Sequence, residues 1–428
     1  MNKQILTVVC AAVLGIASSG AIAATHSTDV LIRGAKVHTV SARGTLDNAD
    51  VLVRDGRIAA VGSSGTLQVP AGADVIDAKG QVLTPGLFAG LSHIGIEEIS
   101  AESSTTDGRV DLKSPTWDQQ WRPEFDVTLA FNPRSTLLPV TRIEGLTWTV
   151  LAPETGDSIV AGQGAAVTLD GALEAGAKSV LDGSRSLFVQ LGSEAEGRSG
   201  GSRAAQYMLL DQAIAEAKGQ GQPGPGALLH PAGRTALARY LANGRVVFEV
   251  ERAADILAVI AFAERNHMKP VISGGSEAWL VGPALAKAHV PVILSPLQDL
   301  PSEFDKLSSR LDNAARLQRD GVLIAFSTGE THNARTIRQA AGNAVAHGLA
   351  WDAALAAVTT NPAQIFGLGA TRGRIEAGQA ADLVLWDGDP LDVTGAASQV
   401  WIAGHAIEMR SRQTELRDRY LQRMKASR

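Results

Sequence analysis

Cysteine is almost absent from this chain of 428 residues, because Cys10 is the only one. It lies in the apolar segment at the start of the chain, so the main body has no thiol. A disulfide, a thiolate metal site and a cysteine nucleophile are therefore excluded there. Any metal ion would have to be held by histidine, aspartate, glutamate or backbone groups. No Gly-x-Ser-x-Gly elbow stands at a predicted strand end, which argues against a serine nucleophile of that type.

Excess positive charge and long apolar runs are missing as well. The formal net charge is -5 and the sequence pI is about 6.0. Binding to nucleic acid needs a basic face, so we do not expect nucleic acid as a partner. After the first 23 residues no apolar run approaches the roughly 20 residues of a membrane-spanning helix, and we expect no membrane span.

The first 23 residues have the pattern of a secretory signal peptide. Lys3 supplies a positive charge, residues 5–17 are apolar, and residues 21–23 read Ala-Ile-Ala, a small-x-small cleavage site. The alternative is a membrane anchor, for which the apolar run is too short. We expect secretion across the inner membrane, cleavage after Ala23 and a periplasmic protein.

Short strands with alternating apolar residues occur at both ends of the chain. Apolar residues alternate with others in three segments near the start, 29–34, 50–56 and 57–62, which are bounded by Asp-Gly or Gly turns. The pattern is repeated near the other end, in residues 373–386 and 399–404. Such segments are typical of antiparallel hairpins. We expect the two ends to pair into one small β-sandwich, with the rest of the chain inserted between them.

The middle of the chain alternates predicted strands and helices, which indicates a parallel sheet. The sequence therefore predicts an α/β protein: a (β/α)8 TIM-type barrel with a small β-sandwich domain formed from both chain ends. Predicted strands are 147–151, 186–191, 245–251, 270–274, 291–295 and 322–327. Predicted helices are 253–264, 277–288, 305–319 and 333–347.

The predicted boundaries follow from these patterns. They are a signal peptide (1–23), the first part of the sandwich (24–83), the barrel (84–368), the second part of the sandwich (369–409) and a C-terminal helix (410–428). In that helix Leu416, Tyr420 and Met424 recur every four residues. We expect this stripe to dock on the parent domain, and binding to a membrane surface is the alternative.

Four stretches in combination resemble the amidohydrolase superfamily, and most closely its imidazolonepropionase-like branch. They are residues 50–62, 82–87 (Val-Leu-Thr-Pro-Gly-Leu), 359–368 and 378–386. The resemblance covers almost the whole chain after the leader. It implies a metal-dependent barrel flanked by a β-sandwich, and hydrolysis of a C–N bond in a cyclic amide or a peptide-like substrate.

The same resemblance implies a metal-ligand set of which little remains here. The His-x-His pair of the first barrel strand falls on Leu91 and His93. The histidines of the fifth and sixth strands fall on Glu249 and Gly274, and the aspartate of the eighth strand falls on Gly329. A strand-four lysine has no counterpart that we can place. At most one zinc-like divalent ion is expected, with His93 and Glu249 as ligands, and a chain without metal remains open.

Further site residues are predicted from their places at strand ends. Glu330 and His332 are the candidate catalytic groups after the eighth strand, and Gln163 and Asn333 are candidate substrate-binding residues. For Glu249 a salt bridge to Arg252, Arg335 or Arg338 remains the alternative to a ligand or proton-transfer role.

Two functions therefore stay open. One is a hydrolase, and the other is a catalytically inactive binding or scaffold protein. Expected partners are a small-molecule or peptide-like substrate, and a second copy of the chain or a paralogue.

Overall fold

The computed structural model describes residues 29–110, 121–173 and 179–426. The predicted signal peptide lies outside these residues. Within them, no helix has the length and apolar character needed to cross a membrane.

The strands are short and are numbered in chain order. They are β1 (Val30–His38), β2 (Thr45–Arg54), β3 (Arg57–Ser63), β4 (Asp74–Asp77), β5 (Val82–Pro85), β6 (Leu87–Ser92), β7 (Leu146–Leu151), β8 (Val160–Gly164), β9 (Ala166–Thr168), β10 (Ser186–Gln190), β11 (Arg245–Val250), β12 (Lys269–Gly274), β13 (Val292–Leu294), β14 (Ile324–Phe326), β15 (Leu383–Trp386), β16 (Ala397–Ile402) and β17 (His405–Ala406).

The α-helices follow the strands of the middle region and close the chain. They are α1 (Leu137–Arg142), α2 (Arg203–Ala217), α3 (Pro231–Tyr240), α4 (Ala253–Arg265), α5 (Gly282–Lys287), α6 (Asn313–Arg319), α7 (Ile337–Ala346), α8 (Trp351–Ala357), α9 (Thr360–Ile365) and α10 (Arg412–Ala426).

One eight-stranded sheet joins the two ends of the chain. Its order is β17-β16-β15-β5-β1-β2-β3, with β4 paired to β1. The link between the ends is the antiparallel pair β5–β15, in which Leu83 faces Leu385. The expected pairing of the two ends is thus present, in a single sheet.

A second sheet of six strands runs β14-β13-β12-β11-β10-β8. The strands β10 to β14 are mutually parallel, and β8 is antiparallel to β10. A third sheet holds β6, β7 and β9, with β6 parallel to β7. The predicted mixed α/β architecture with parallel strands is confirmed. In the described residues, backbone hydrogen bonds do not join the second and third sheets into one closed barrel.

Side-chain hydrogen bonds connect these two sheets at one edge. The Ser327 hydroxyl, just after β14, accepts a hydrogen bond from the Leu91 backbone N–H at 3.0 Å. The Thr331 hydroxyl accepts from the His93 N–H at 3.1 Å. At the other edge, β8 continues into β9 after one residue. The loops that follow β6 and β14 therefore lie side by side.

Apolar spacing explains why the helices cover the six-stranded sheet. In α4, Ile256, Val259 and Phe262 recur every three residues and are buried on one face. The β11 residues Val246 and Phe248 are buried in the same cluster. A strand flanked by packed layers is apolar on both faces, so the charged Glu249 near its end stands out.

The last helix, α10, does not dock on the parent domain as expected. None of the residues of α10 is buried, and Leu416 and Tyr420 are 37 % and 58 % exposed. Docking of this stripe on the parent domain was therefore predicted wrongly. The physical reason is that the helix meets the body only at its start, where Ser411 is buried.

A buried ion pair secures the sheet that joins the chain ends. Arg372 Nη1 donates to Asp382 Oδ2 at 2.6 Å, and the other carboxylate oxygen accepts from the Ala403 N–H at 2.8 Å. The two side chains are 9 % and 4 % exposed. Such a pair is costly to break, because the remaining partner stays buried with its charge.

We expect Asp382→Ala to lower the free energy of unfolding by roughly 3–5 kcal/mol, since it leaves the Arg372 charge uncompensated. Urea titration would measure the loss. Arg265→Ala, which breaks the half-exposed pair with Asp211, is the control and should cost no more than about 1 kcal/mol. Equal losses in both variants would contradict the buried-pair argument.

Candidate active site

A cavity of about 500 Å³ opens at the carboxyl ends of the parallel strands. Side chains from β6, β10, β11 and the loops after β12 to β14 meet there. Its polar lining includes His93, Gln190, Arg198, Glu249, Glu251 and Ser295. Ligands of parallel α/β folds bind at this end of the strands, because the connecting loops converge there.

Glu249 is the most perturbed acid on this cavity wall. It stands next to Gln190 of β10 and Ser273 of β12 in the strand register. Its carboxylate is open to the cavity but has protein on the other sides, and Gln190 Nε2 donates to it at 3.3 Å. Desolvation, followed by repulsion from Glu194 and Glu251, raises the pKa of Glu249 to about 7. The side chain can therefore take up and release a proton near neutral pH.

The salt-bridge alternative for Glu249 finds no partner in the described structure. None of Arg252, Arg335 and Arg338 pairs with it. Arg252 binds Asp255, Arg335 binds Asn333, and Arg338 is bonded to backbone oxygens near Pro390. Lys306 lowers the pKa of Glu249 without forming a salt bridge with it, and desolvation outweighs this effect.

Its neighbour Glu251 is held firmly. Glu251 Oε2 accepts from both the backbone N–H and the hydroxyl of Ser276, at 2.9 and 2.7 Å. Its Oε1 lies 3.4 Å from Lys306 Nζ. The buried Asp299 is also close enough to Glu251 to be affected by its charge, and desolvation raises the pKa of Asp299 to about 8. Glu251 is therefore fixed in position by two donors and a nearby cation.

His93 lies at the cavity wall and is bound by carboxylates. Its Nδ1 is 3.4 Å from Glu97 Oε2 and 3.4 Å from Glu154 Oε1. Glu97 Oε1 in turn lies 3.0 Å from His332 Nε2. One nitrogen of the His93 imidazole, Nδ1, therefore contacts two carboxylates, and one of these carboxylates also contacts His332.

The residues present do not fit the metal site that the resemblance implies. No group of three or more His, Cys, Asp or Glu side chains that could hold a metal ion occurs within residues 29–110, 121–173 and 179–426. Leu91 has no donor atom. Gly274 has φ +87°, and a Cβ there would lie 2.6 Å from Glu251 Oε1, so Glu251 fills the space that a histidine side chain would need. A catalytic zinc takes about three protein ligands.

The other predicted site residues lie away from the cavity lining. Glu330 is exposed after β14, and His332 is directed to Glu97. Gln163 is buried, where it accepts from the Tyr240 hydroxyl and donates to the Pro123 carbonyl. Asn333 precedes a short 3₁₀ helix and accepts from Arg335. The structure thus brings His93 and Glu249 to one cavity, while their roles remain predictions.

Several polar groups of the cavity were not predicted from the sequence. Arg198 donates through Nη1 to Gln190 Oε1 at 2.9 Å, which orients the Gln190 amide toward Glu249. The hydroxyls of Ser295 and Thr328 are buried and have no hydrogen-bond partner among the described residues. The strand-end position of Gln190, next to Glu249 in register, is the signal that could have identified it.

Comparisons with known proteins agree with this architecture. A family model described as the amidohydrolase family matches residues 209–408. The amidohydrolase tasK of Hapsidospora irregularis is 46 % identical over 83 residues, which are 19 % of this chain and 8 % of that protein. The chain therefore matches a small part of the length of this curated relative.

Solved structures cover most of the chain. An amidohydrolase from Thermotoga maritima MSB8 superposes with a TM-score of 0.77 at 24 % identity, covering 89 % of this chain and all of that one (100 %). A prolidase complexed with N-methylphosphonate-L-proline reaches 0.55 at 17 % identity, covering 89 % and 100 %. A zinc-bound adenosine deaminase from Xanthomonas campestris reaches 0.53 at 18 % identity, covering 89 % and 92 %. These likenesses establish the fold, and the family model matches slightly less than half of the chain.

The raised pKa of Glu249 predicts a pH dependence of stability. Between about pH 4.5 and pH 7 the folded chain keeps a proton on Glu249 that the unfolded chain releases. Folding is therefore progressively less favourable as the pH rises through this range. Glu249→Gln removes this penalty. The melting temperature of the variant should therefore equal that of the parent at pH 4.5 and exceed it by roughly 1–3 °C at pH 8. A difference that does not change with pH would contradict the assignment.

Proposed function

We propose that this chain is an exported amidohydrolase-family enzyme that hydrolyses a C–N bond in a cyclic amide or peptide-like substrate. The observation that carries the proposal is Glu249, an acid with a pKa of about 7 on the wall of a 500 Å³ cavity at the strand ends. General acid–base groups work best when their pKa lies near the working pH. The proposal includes a TIM-type barrel in which the six-stranded and three-stranded sheets together enclose this cavity.

Glu249 would transfer the proton in both halves of the reaction. Its carboxylate takes a proton from water while the water oxygen bonds to the amide carbon. The same proton then passes to the departing nitrogen as the C–N bond breaks, which yields a carboxylic acid and an amine. Gln190, fixed by Arg198, holds the Glu249 carboxylate in place. Arg198 also brings a positive charge to the cavity wall, which would favour negative charge on a carbonyl oxygen bound there.

Metal takes no part in this scheme, because the described residues do not provide a ligand set. The adenosine deaminase of similar fold holds bound zinc, and such an ion can activate water. Here Leu91 and Gly274 stand where the resemblance implies ligands, and Glu251 occupies the space beside Gly274.

The Glu249 role predicts a pH profile. The base is active when ionised, so kcat/KM should rise with pH and reach half its maximum near pH 7. Glu249→Gln should lower kcat by about 10²–10⁴-fold, the usual contribution of a general base. Hydrolysis of a panel of cyclic amides and dipeptides would provide the rates. Glu264→Gln, on the exposed side of α4, is the matched control and should leave them unchanged. Full activity of Glu249→Gln would exclude Glu249 as the base.

A second candidate function is a catalytically inactive binding or scaffold protein. The specific observation in its favour is the missing set of metal ligands at Leu91, Gly274 and Gly329. This candidate would be supported over the enzyme if members of the amide panel raise the melting temperature of the chain and none of them is hydrolysed.

Metal content separates the proposal from the metal-dependent chemistry that the resemblance implies. We expect protein purified without chelator and without a metal-affinity step to retain no stoichiometric zinc or manganese by elemental analysis. Supplying either ion should leave the melting temperature unchanged. About one tightly held ion per chain that is lost in His93→Ala would contradict this, because it would mean that His93 and nearby carboxylates form a working site.

A further inference from the structure

The guanidinium group of Arg198 lies on the wall of the cavity and has no acid bound to it. Its Nε donates to the Gly156 carbonyl at 2.8 Å. Its Nη1 donates to Gln190 Oε1 at 2.9 Å and to the Glu194 carbonyl at 3.0 Å. All three acceptors are uncharged, and within the described part of the chain Arg198 forms no salt bridge. The anchoring therefore fixes the guanidinium and leaves its Nη2 available to a ligand.

The arginines at the starts of α2 and α4 are, by contrast, balanced by carboxylates. Arg203 binds both Asp255 and Asp305, and Arg252 binds Asp255. Arg198 is only partly exposed and lacks such a partner. A cation that is partly removed from water is stabilised most by an opposite charge nearby. A negatively charged ligand in the cavity would supply that charge.

A second arginine reaches the cavity from the same region of the wall. Arg109 is exposed and lines the cavity, and the backbone on either side of it packs on residues 154–156. The Gly108 carbonyl accepts from the Glu154 N–H at 2.8 Å. The Nε of Arg198 is bonded to the last residue of the same segment. Both arginines are therefore placed around one short segment of the cavity wall.

The place of the negative charge follows from the arrangement of Arg198 and Glu249. The Gln190 amide lies between them, since its oxygen accepts from Arg198 and its nitrogen donates to Glu249. One amide group thus separates the cation from the proposed base. A substrate with its scissile amide beside Glu249 brings a carboxylate to Arg198 when that group is on the carbon attached to the amide nitrogen. N-acyl α-amino acids and dipeptides have this arrangement.

The remaining charges of the wall favour a ligand with a single negative charge. Glu154, Glu249 and Glu251 also line the cavity. Carboxylates in the wall repel a dianion such as phosphate more strongly than they repel a carboxylate. A carboxylate also matches the planar guanidinium in shape and hydrogen bonding.

We propose that Arg198 is the specificity-determining residue of this cavity, and that it selects amides with a free carboxylate on the carbon attached to the amide nitrogen. Arg109 adds positive charge at the rim. Bonds between a guanidinium and a carboxylate are charge-assisted, and are therefore stronger than bonds to a neutral amide. The inference rests on the proposed function for the position of the scissile amide, whereas the preference for a carboxylate is measurable in binding alone.

Calorimetric titration of the purified protein tests the preference. The probes are N-acetyl-L-alanine, N-acetyl-L-leucine and N-acetyl-L-proline, each compared with its primary amide. We expect the acids to bind at least about tenfold more tightly than the amides, since hydrogen bonds to a charged group contribute more than neutral ones. Titrations of Glu249→Gln with the same probes exclude heat from hydrolysis.

Substitutions of Arg198 connect the preference with this side chain. Arg198→Gln should abolish the difference between acids and amides, and Arg198→Lys, which keeps the charge, should retain part of it. Arg239→Gln removes an exposed arginine of α3 outside the cavity lining and should leave the difference unchanged. Circular dichroism melts would show that the variants fold, and the comparison of acid with amide in the parent does not depend on them.

The outcomes separate this inference from the proposed function. Equal binding of acids and amides, with hydrolysis of both, would overturn the inference and leave the proposed function in place. A preference for acids that Arg198→Gln removes, in a chain that hydrolyses none of the probes, would support the carboxylate site and contradict the proposed hydrolysis. Tighter binding of inorganic phosphate than of any acid, or no binding of any acid, would also overturn the inference.

Discussion

The pairing of β5 with β15 is the contact on which the rest of the structure depends. It brings residues about 300 positions apart into one sheet and is reinforced from both sides. Trp386 Nε1 donates to the Thr84 hydroxyl at 2.9 Å, and both groups are buried. Gly145 lies directly against the Trp386 ring, where a Cβ would come within 2.5 Å of it. Because β6 starts two residues after β5, the pairing also fixes where the parallel strands begin, and therefore where His93 at the end of β6 is presented.

The chemistry of the cavity follows from the same parallel arrangement. Neighbouring parallel strands bring Gln190 and Glu249 side by side at their ends, although 59 residues separate them in the chain. Glu251, two residues later, has a nearby cation and two donors, whereas among the described residues Glu249 has a single amide donor and forms no salt bridge. Desolvation, together with repulsion from Glu194 and Glu251, raises the pKa of Glu249.

Much of the architecture was predictable because it rests on local patterns. The strand prediction for 186–191 and the helix prediction for 253–264 agree with β10 and α4 within one residue at each end. The prediction for 305–319 was less accurate, since the structure has a short 3₁₀ turn followed by α6. The cavity was harder to predict. Gln163 was predicted to bind substrate because residues 159–164 were expected to form a loop after a strand. The structure has β8 there, and the Gln163 side chain is buried with Tyr240.

The sequence by itself determined the class of fold and the position of Glu249 in an otherwise apolar strand. These are properties of residue type and spacing, which do not depend on distant contacts. Only the tertiary structure decided that Glu249 forms no salt bridge with the described residues, that Glu251 occupies the space beside Gly274, and that α10 leaves its apolar stripe exposed. Each of these features depends on which distant segments of the chain come within a few ångströms of each other. No local sequence pattern specifies such contacts.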